Sequence, residues 1–405
     1  MRMVRRLEDY RQIVGDEVVS RILRKMRQLY GKSVQHINST FQGGGVAEML
    51  WSLIPLKNDV GLRADWRIIH ASPAFFEVTK SFHNGLQGEE IKLSEDRKSL
   101  YLATNEEFSR FAHIDDRDFI VVHDPQPLAM VSNYRKKQPW IWRCHIDLSH
   151  PNPMLWNFLK PFILRYDVVI VSHERYKKED LPVEYRIIHP AIDPLTPKNS
   201  PLPKDESRTI LERYGVRLDK PLLVQISRFD KWKDPLGVLE VYKRVRSEED
   251  CRLVLCGSMA PDDPEGLQIY NEVLENAKDL IEKGDVVTIT AQDDLLVNAL
   301  QSLADVVIQK STREGFGLTV TEALWKGTPV VASNVGGIPL QIDDGINGFL
   351  HEPKDYDGFA DTILKLLRDR KLAEKVGRAG REKVREKFLI TRLLEDYITL
   401  LNELS

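Results

Sequence analysis

Short apolar runs alternate with longer stretches whose apolar residues recur every three or four positions, almost from end to end of the chain. In the first half the short runs are "SVQHINS" (33–39), "WRIIHAS" (66–72), "DFIVVHD" (118–124), "WIWRCHID" (140–147), "DVVIVS" (167–172) and "YRIIHP" (185–190). In the second half they are "PLLVQIS" (221–227), "CRLVLCG" (251–257), "DVVTIT" (285–290), "ADVVIQ" (304–309) and "TPVVAS" (328–333). Several are continuously apolar, as parallel strands covered on both faces are. Between them, stretches such as "PLGVLEVYKRVRSEE" (235–249) and "LLVNALQSLA" (295–304) read as amphipathic helices. This alternation predicts βαβ units and an α/β fold with parallel sheets. "HPAIDPLTPKNSPLPKDES" (189–207) holds five prolines and little apolar content, and so reads as a linker. The expected division is a first domain over 1–193, a second over 194–385, and a terminal helix over 386–405 that packs back on the first. The helical tail should break near Gly377 and Gly380. Two doubly wound domains would leave a cleft between the carboxyl ends of their strands, where ligands bind in such sheets.

Composition narrows this picture little. A chain of 405 residues exceeds what one core sustains, which supports two domains. The 58 basic residues nearly balance the 61 acidic ones, which gives no reason to expect nucleic acid or an anionic membrane as partner. No stretch is long and apolar enough to read as a membrane span or a signal peptide. Cys144, Cys251 and Cys256 are too few for a disulfide framework, and their spacing does not suit zinc. A cytoplasmic setting is expected, and the wealth of Glu, Lys and Arg suits a thermophile.

The candidate chemistry gathers where runs end. "NSTFQGGGVAE" (38–48) places three glycines between a strand and a helix that starts near Val46. Such a turn lets backbone amides, those of Gly44 and Gly45 among them, approach an anion, or it simply accommodates positive φ. "SRFDKWKDP" (227–235) sets Arg228, Lys231 and Lys233 before another helix, a fit for a diphosphate or for a solvated loop paired with Asp230 and Asp234. "STREGFGLTVTEALWKG" (311–327) spaces Glu314 and Glu322 seven residues apart around Gly315, Phe316 and Gly317. Carboxylates there need a partner, and neighbouring sugar hydroxyls would serve at each. His123 with Asp124 and His145 with Asp147 stand at consecutive strand ends. As alternate residues of a strand, His145 and Asp147 would share a face and orient each other or bind hydroxyls.

Taken together, "SRFDKWK", the "GGGVAE" loop and the two glutamates resemble the retaining nucleotide-sugar glycosyltransferases of family four, over nearly the whole chain. "HDPQP", "WRCHID" and "VTKSFHNGLQG" (78–88) look closer still to the trehalose glycosyltransferring synthases of thermophiles. The resemblance implies the GT-B architecture, two Rossmann-like domains facing across a cleft. It implies an enzyme that moves glucose, reversibly, from a nucleoside-diphosphate glucose to free glucose to make trehalose. Arg228 and Lys233 would hold the diphosphate, with Gly44 and Gly45 assisting. Glu322 would bind the ribose. Glu314, with Gly315, Phe316 and Gly317, would bind the donor sugar. His145 would lie near the anomeric centre, and His123, Asp124 and Asp147 close to the acceptor. Small molecules are then the only partners implied, with no metal site and no cofactor required; Mg²⁺ assistance to the diphosphate and a homodimer stay open. Four alternatives remain: a retaining trehalose phosphorylase, in which Glu322 has no ribose to bind; a transferase with another acceptor; an epimerase or hydrolase on the same fold; and a non-catalytic sugar-nucleotide sensor.

Overall fold

The computed structural model describes residues 4–257 and 264–405. The chain forms two compact units, Met1–Ala191 completed by Ile390–Ser405, and Ile192–Leu389. The first unit is built on six strands: β1 (Ser33–Asn38), β2 (Arg63–Ile68), β3 (Phe119–His123), β4 (Trp140–Arg143), β5 (Val168–Val171) and β6 (Glu184–Ile187). The second has β7 (Leu222–Ile226), β8 (Arg252–Gly257), β9 (Val286–Thr290), β10 (Val306–Gln309), β11 (Val330–Ser333) and β12 (Phe349–His351). Every pairing is parallel, in the orders β2-β1-β3-β4-β5-β6 and β12-β11-β10-β7-β8-β9.

Strands β1, β3, β4, β5, β7, β8, β10 and β11 are buried along their whole length. Helices cover both faces, so these segments have no reason to alternate. In the second unit the pleat sorts neighbours cleanly. Leu223, Leu253 and Leu255 pack with Val238, Tyr242 and Phe359, whereas Leu222, Val224 and Val254 pack with Leu211, Leu296 and Leu300.

Three expectations need correction, and one strand was not expected. The run at 66–72 is displaced, because β2 starts at Arg63, opposite Ser33, and ends at Ile68. The run at 140–147 ends as a strand at Arg143, so His145 and Asp147 lie beyond it and share no strand face. Strand β12 is three residues long and gives no readable period. The tail does not break at its glycines: a helix runs unbroken from Arg370 to Lys387, followed by the terminal helix Ile390–Glu403. Gly377 and Gly380 are packing residues. A Cβ on Gly377 would stand 1.9 Å from the Gly327 carbonyl oxygen, and one on Gly380 would stand 2.8 Å from a Leu324 methyl.

The terminal helix belongs to the first unit. Glu395 accepts from Arg21 Nε at 2.7 Å and pairs with Lys25 at 2.9 Å, and Asn402 donates to the Lys25 carbonyl at 3.0 Å. None of the described helices is long and apolar enough to cross a membrane.

Candidate active site

Each sheet reverses its strand order once, between β1 and β3 in the first and between β7 and β10 in the second. The carboxyl ends beside such a reversal are where doubly wound sheets take ligands. Nearly all the candidate residues fall there, in two sets that are described separately.

In the second unit the loop after β7 and the loop after β10 are laced together. Thr312 N donates to the Trp232 carbonyl at 2.8 Å, and Lys233 forms a close ion pair with Glu314. Asp234 caps the helix Pro235–Glu248 through Gly237 N at 3.0 Å and pairs with Lys310. Lys310 is fully buried, with its ammonium 4.3 Å over the Tyr356 ring. Gly237 is required by this arrangement, since a Cβ there would lie 2.4 Å from the Lys310 Nζ. Asp230 accepts from the amides of Trp232 and Lys233, at 2.9 and 3.1 Å, which fixes the loop carrying both. Arg228 meets Asp230 at 3.0 Å but keeps 60% of its side chain exposed and available to an anion. The aspartates of this loop are structural, and its cations stand at the strand's carboxyl end, with Lys233 paired to Glu314 and Asp234 to Lys310.

Glu322 sits on the helix Leu318–Lys326 and is 3% exposed. Among the described residues its carboxylate meets Gln301 Nε2 at 3.4 Å and Lys198 Nζ at 3.8 Å. Burial pulls the neighbouring Lys326 ammonium down to about 8 against the opposing pull of Glu322. Gly317 adopts a φ of +85° as N-cap of this helix, and a Cβ there would press on the Glu314 side chain at 3.2 Å. The Phe316 ring is buried beside Phe388 at 5.6 Å, so this residue offers a ligand its backbone rather than its ring.

Sequence reasoning missed Gln341. Fully buried, it donates to the Phe316 carbonyl at 2.5 Å and accepts from Thr321 Oγ1 at 2.6 Å, clamping the glycine loop to the helix behind it. Gln341→Ala leaves these groups unpaired and should cost about 2 kcal/mol in thermal or urea unfolding. A variant as stable as the parent would remove the clamp from consideration.

In the first unit the three glycines stand in the turn after β1. Gly43 and Gly44 have φ of +73° and +82°, and nothing lies within 4 Å of where a Cβ would stand on either, so glycine is needed there for conformation rather than for packing. Gly45 opens the helix Gly45–Asp59, whose first amides have no carbonyl of their own helix to meet.

Four nitrogen bases run in file, with Lys57, His36 and His123 buried and His145 half-buried. Lys57 Nζ meets His36 Nε2 at 2.7 Å, His36 Nδ1 meets His123 Nε2 at 2.9 Å, and His123 Nδ1 meets His145 Nε2 at 3.1 Å. The rings stack, His36 on His123 at 5.2 Å and His123 on His145 at 5.4 Å. His145 N donates to Asp124 Oδ1 at 2.7 Å, and Asp124 holds a φ of +60°. Asp147 instead caps a turn, accepting from Ser149 N at 2.8 Å, so it does not orient His145. Arg143 lies fully buried at the end of β4, and none of its guanidinium nitrogens meets a hydrogen-bond acceptor. Lys57, His36 and Arg143 left no signal in the sequence, since each sits in an apolar-looking element. Among the described residues no group of three or more His, Cys, Asp or Glu is placed to hold a metal.

Burial holds all three imidazoles well below their usual pKa, helped at His36 by Lys57 and at His123 and His145 by Arg143. Burial pushes Asp124 the other way, up to about 7. Below pH 6.5 the unfolded chain takes up protons at the three histidines that the fold refuses, while the fold retains one at Asp124 that the unfolded chain releases. A net uptake of protons then favours unfolding, so stability should fall as the pH drops below about 6.5. Urea midpoints across that range check this, and a flat profile would mean that the imidazoles are charged in the fold.

Comparison with known proteins agrees with this geometry. Residues 36–178 match the family model "Trehalose synthase, N-terminal domain", and residues 206–383 match "Glycosyl transferases group 1". The trehalose synthase of Thermococcus litoralis is 45% identical over 401 residues, covering 98% of this chain and 97% of that protein. The trehalose phosphorylase of Grifola frondosa is 31% identical, but the match covers 93% of this chain and only 58% of that longer protein. The solved sucrose-phosphate synthase of Thermosynechococcus elongatus superposes with a TM-score of 0.73 at 19% identity, over 92% of this chain and 99% of that one. The two parallel sheets and their laced carboxyl-end loops are thus those of a GT-B glycosyltransferase. Within that class, the chain belongs to the trehalose synthase family.

Proposed function

We propose that the protein moves glucose, reversibly and with retention at the anomeric carbon, from a nucleoside-diphosphate glucose to free glucose, forming trehalose. The observation that carries the nucleotide half is Glu322, a buried carboxylate whose nearest side-chain donors stand at 3.4 and 3.8 Å. Its oxygens retain accepting capacity for two adjacent hydroxyls, such as those of a ribose. A phosphorylase has no ribose to place there. The trehalose half rests on the family and on the 45% identity to a trehalose synthase.

In this reading Arg228 and Lys233 bind the diphosphate and neutralise the charge that grows on it as the glycosidic bond breaks. The amides of Gly44 and Gly45 add to that stabilisation. Glu314 and the backbone of Gly315, Phe316 and Gly317 hold the donor glucose. His145 lies against it, and Asp124 and Asp147 serve the acceptor side; His123, expected there from the sequence, is buried with both ring nitrogens engaged by His36 and His145 and so reaches no acceptor. The acceptor hydroxyl attacks from the face that the diphosphate leaves, and its proton passes to the departing phosphate oxygen. The cationic side chains do this work without a metal ion. The substrates are small molecules, with neither nucleic acid nor membrane as partner, and three buried free thiols suit a reducing cytoplasm.

The test is product analysis with ADP-glucose or UDP-glucose and free glucose, with and without Mg²⁺. Release of nucleoside diphosphate with a non-reducing α,α-linked disaccharide is expected. Turnover of trehalose with inorganic phosphate alone would transfer the protein to the phosphorylases. Glu322→Ala removes hydrogen bonds to a charged acceptor worth about 1.5–3 kcal/mol each, so the donor KM should rise at least about tenfold. An unchanged KM would refute the ribose contact.

A further inference from the structure

We infer that Lys57, through His36 and His123, fixes the tautomer of His145 and so makes its outward-facing Nδ1 a hydrogen-bond donor to a substrate oxygen. The inference deepens the proposed function, and rests on it only for the identity of that substrate.

The argument is a count of protons. Three nitrogen–nitrogen contacts, at 2.7, 2.9 and 3.1 Å, each require one proton. A neutral imidazole has one N–H and one acceptor nitrogen, so the three rings must all point the same way. In one arrangement every ring carries its proton on Nδ1, and Lys57 donates into the file. In the reverse arrangement every proton is on Nε2, and His36 must donate to a lone pair on Lys57. An ammonium has three donors and no lone pair, so a charged Lys57 permits only the first arrangement. His145 Nε2 is then occupied as an acceptor from His123, and its Nδ1–H is left for a ligand.

The surroundings set both conditions. The Tyr397 ring, its centroid 4.0 Å from the Lys57 Nζ, favours the ammonium form and opposes the burial that lowers the Lys57 pKa. Tyr397 comes from the terminal helix and also meets His36 edge-on at 5.8 Å. The other charged and titratable groups acting on the file are Arg143 from β4, Asp124 after β3, and Arg392 from the terminal helix acting on Arg143. Two buried cations near the rings disfavour any imidazolium, which keeps the file in its neutral, one-proton-per-contact state. Lys57, His36 and His123 are therefore positioning residues, while His145 is the one that meets substrate. Because burial also lowers the Lys57 pKa, alkali should release the file, and the reverse tautomer should then appear.

The tautomer is read directly by long-range ¹H–¹⁵N correlation of ¹⁵N-histidine-labelled protein, with His36, His123 and His145 assigned by substitution. In the free wild-type protein at neutral pH all three should show a protonated Nδ1 and a bare Nε2. An Nε2–H tautomer, or an imidazolium, at His145 would overturn the inference without any variant. Lys57→Met removes the fixed donor, and His145 should then populate both tautomers. His36→Leu should do the same, while His36→Gln should restore the wild-type pattern, because its amide accepts from Lys57 and donates to His123. In turnover, Lys57→Met and His36→Leu should lose at least about tenfold in kcat with little change in donor KM, since a wrong tautomer behind a working imidazole costs rate. Recovery by His36→Gln separates this from a packing defect; a Gln variant as slow as the Leu variant would refute the relay. The spectra need no substrate, so they stand or fall independently of whether trehalose is made.

Discussion

Lys233→Ala should lower kcat by roughly 100- to 1,000-fold, the cost typical of removing a single preorganised group that stabilises developing charge. Two effects add. Lys233 is the cation nearest the loop that would receive the leaving diphosphate, and it is also the ion-pair partner of Glu314. Without it, the carboxylate loses this cation while facing an incoming dianion. Arg228 remains, but its guanidinium is 60% exposed and water screens it. The double variant Lys233→Ala/Glu314→Ala separates the two effects. It should recover some donor affinity relative to Lys233→Ala while kcat stays low, because repulsion is removed but neutralisation is not restored. Steady-state kinetics with varied donor measure both quantities. A loss in kcat smaller than about tenfold would mean that the growing charge is met elsewhere.

The largest effect on stability should come from Gly377→Ala. A methyl there would sit 1.9 Å from the Gly327 carbonyl oxygen. Both groups belong to backbone, and Gly327 caps the helix Leu318–Lys326 with a φ of +78°. Relief requires one helix to move, at a cost of about 3 kcal/mol or more, against the few tenths usual for a surface change. For a unit of this size the melting temperature should drop by about 10 °C. Gly380→Ala is the control. Its methyl meets the far end of the Leu324 side chain at 2.8 Å and the Asn347 carbonyl oxygen at 3.2 Å, a milder clash than that at Gly377, so its effect should be smaller. Since the displaced helix carries Glu322, Gly377→Ala should also weaken donor binding. Equal tolerance of both alanines would refute the packing role.

What the sequence disclosed, and what it hid, follows from the range of the interactions involved. Strands β3, β5, β7, β8, β10 and β11 were legible because a strand buried on both faces writes a largely apolar run, whereas β1 and the half-exposed β9 stood out by their place in the alternation. Strand β12, at three residues, writes nothing. Glu314, Glu322, Arg228 and Lys233 were legible because loops at strand ends have little cause to carry paired charges and glycines together. Lys57 and His36 were not, since a lysine near the end of an amphipathic helix reads as surface. Only the terminal helix, more than three hundred residues later in the chain, brings Tyr397 over its ammonium and buries it. Gln341 was hidden for the same reason, its partners Phe316 and Thr321 being 25 and 20 positions away. Gly377 and Gly380 were misread as helix breakers, because the helix they share is stabilised by neighbours that a one-dimensional pattern does not contain.

The return of the last helix to the first unit also sets an order of assembly during synthesis. Residues Ile192–Leu389 are all made before Glu395, Tyr397 and Asn402, so the second unit has its whole chain first. Until the returning helix is made, the first unit lacks the carboxylate that Arg21 and Lys25 share and the ring that covers Lys57. That helix thus acts as the timer for the half of the protein that was begun first.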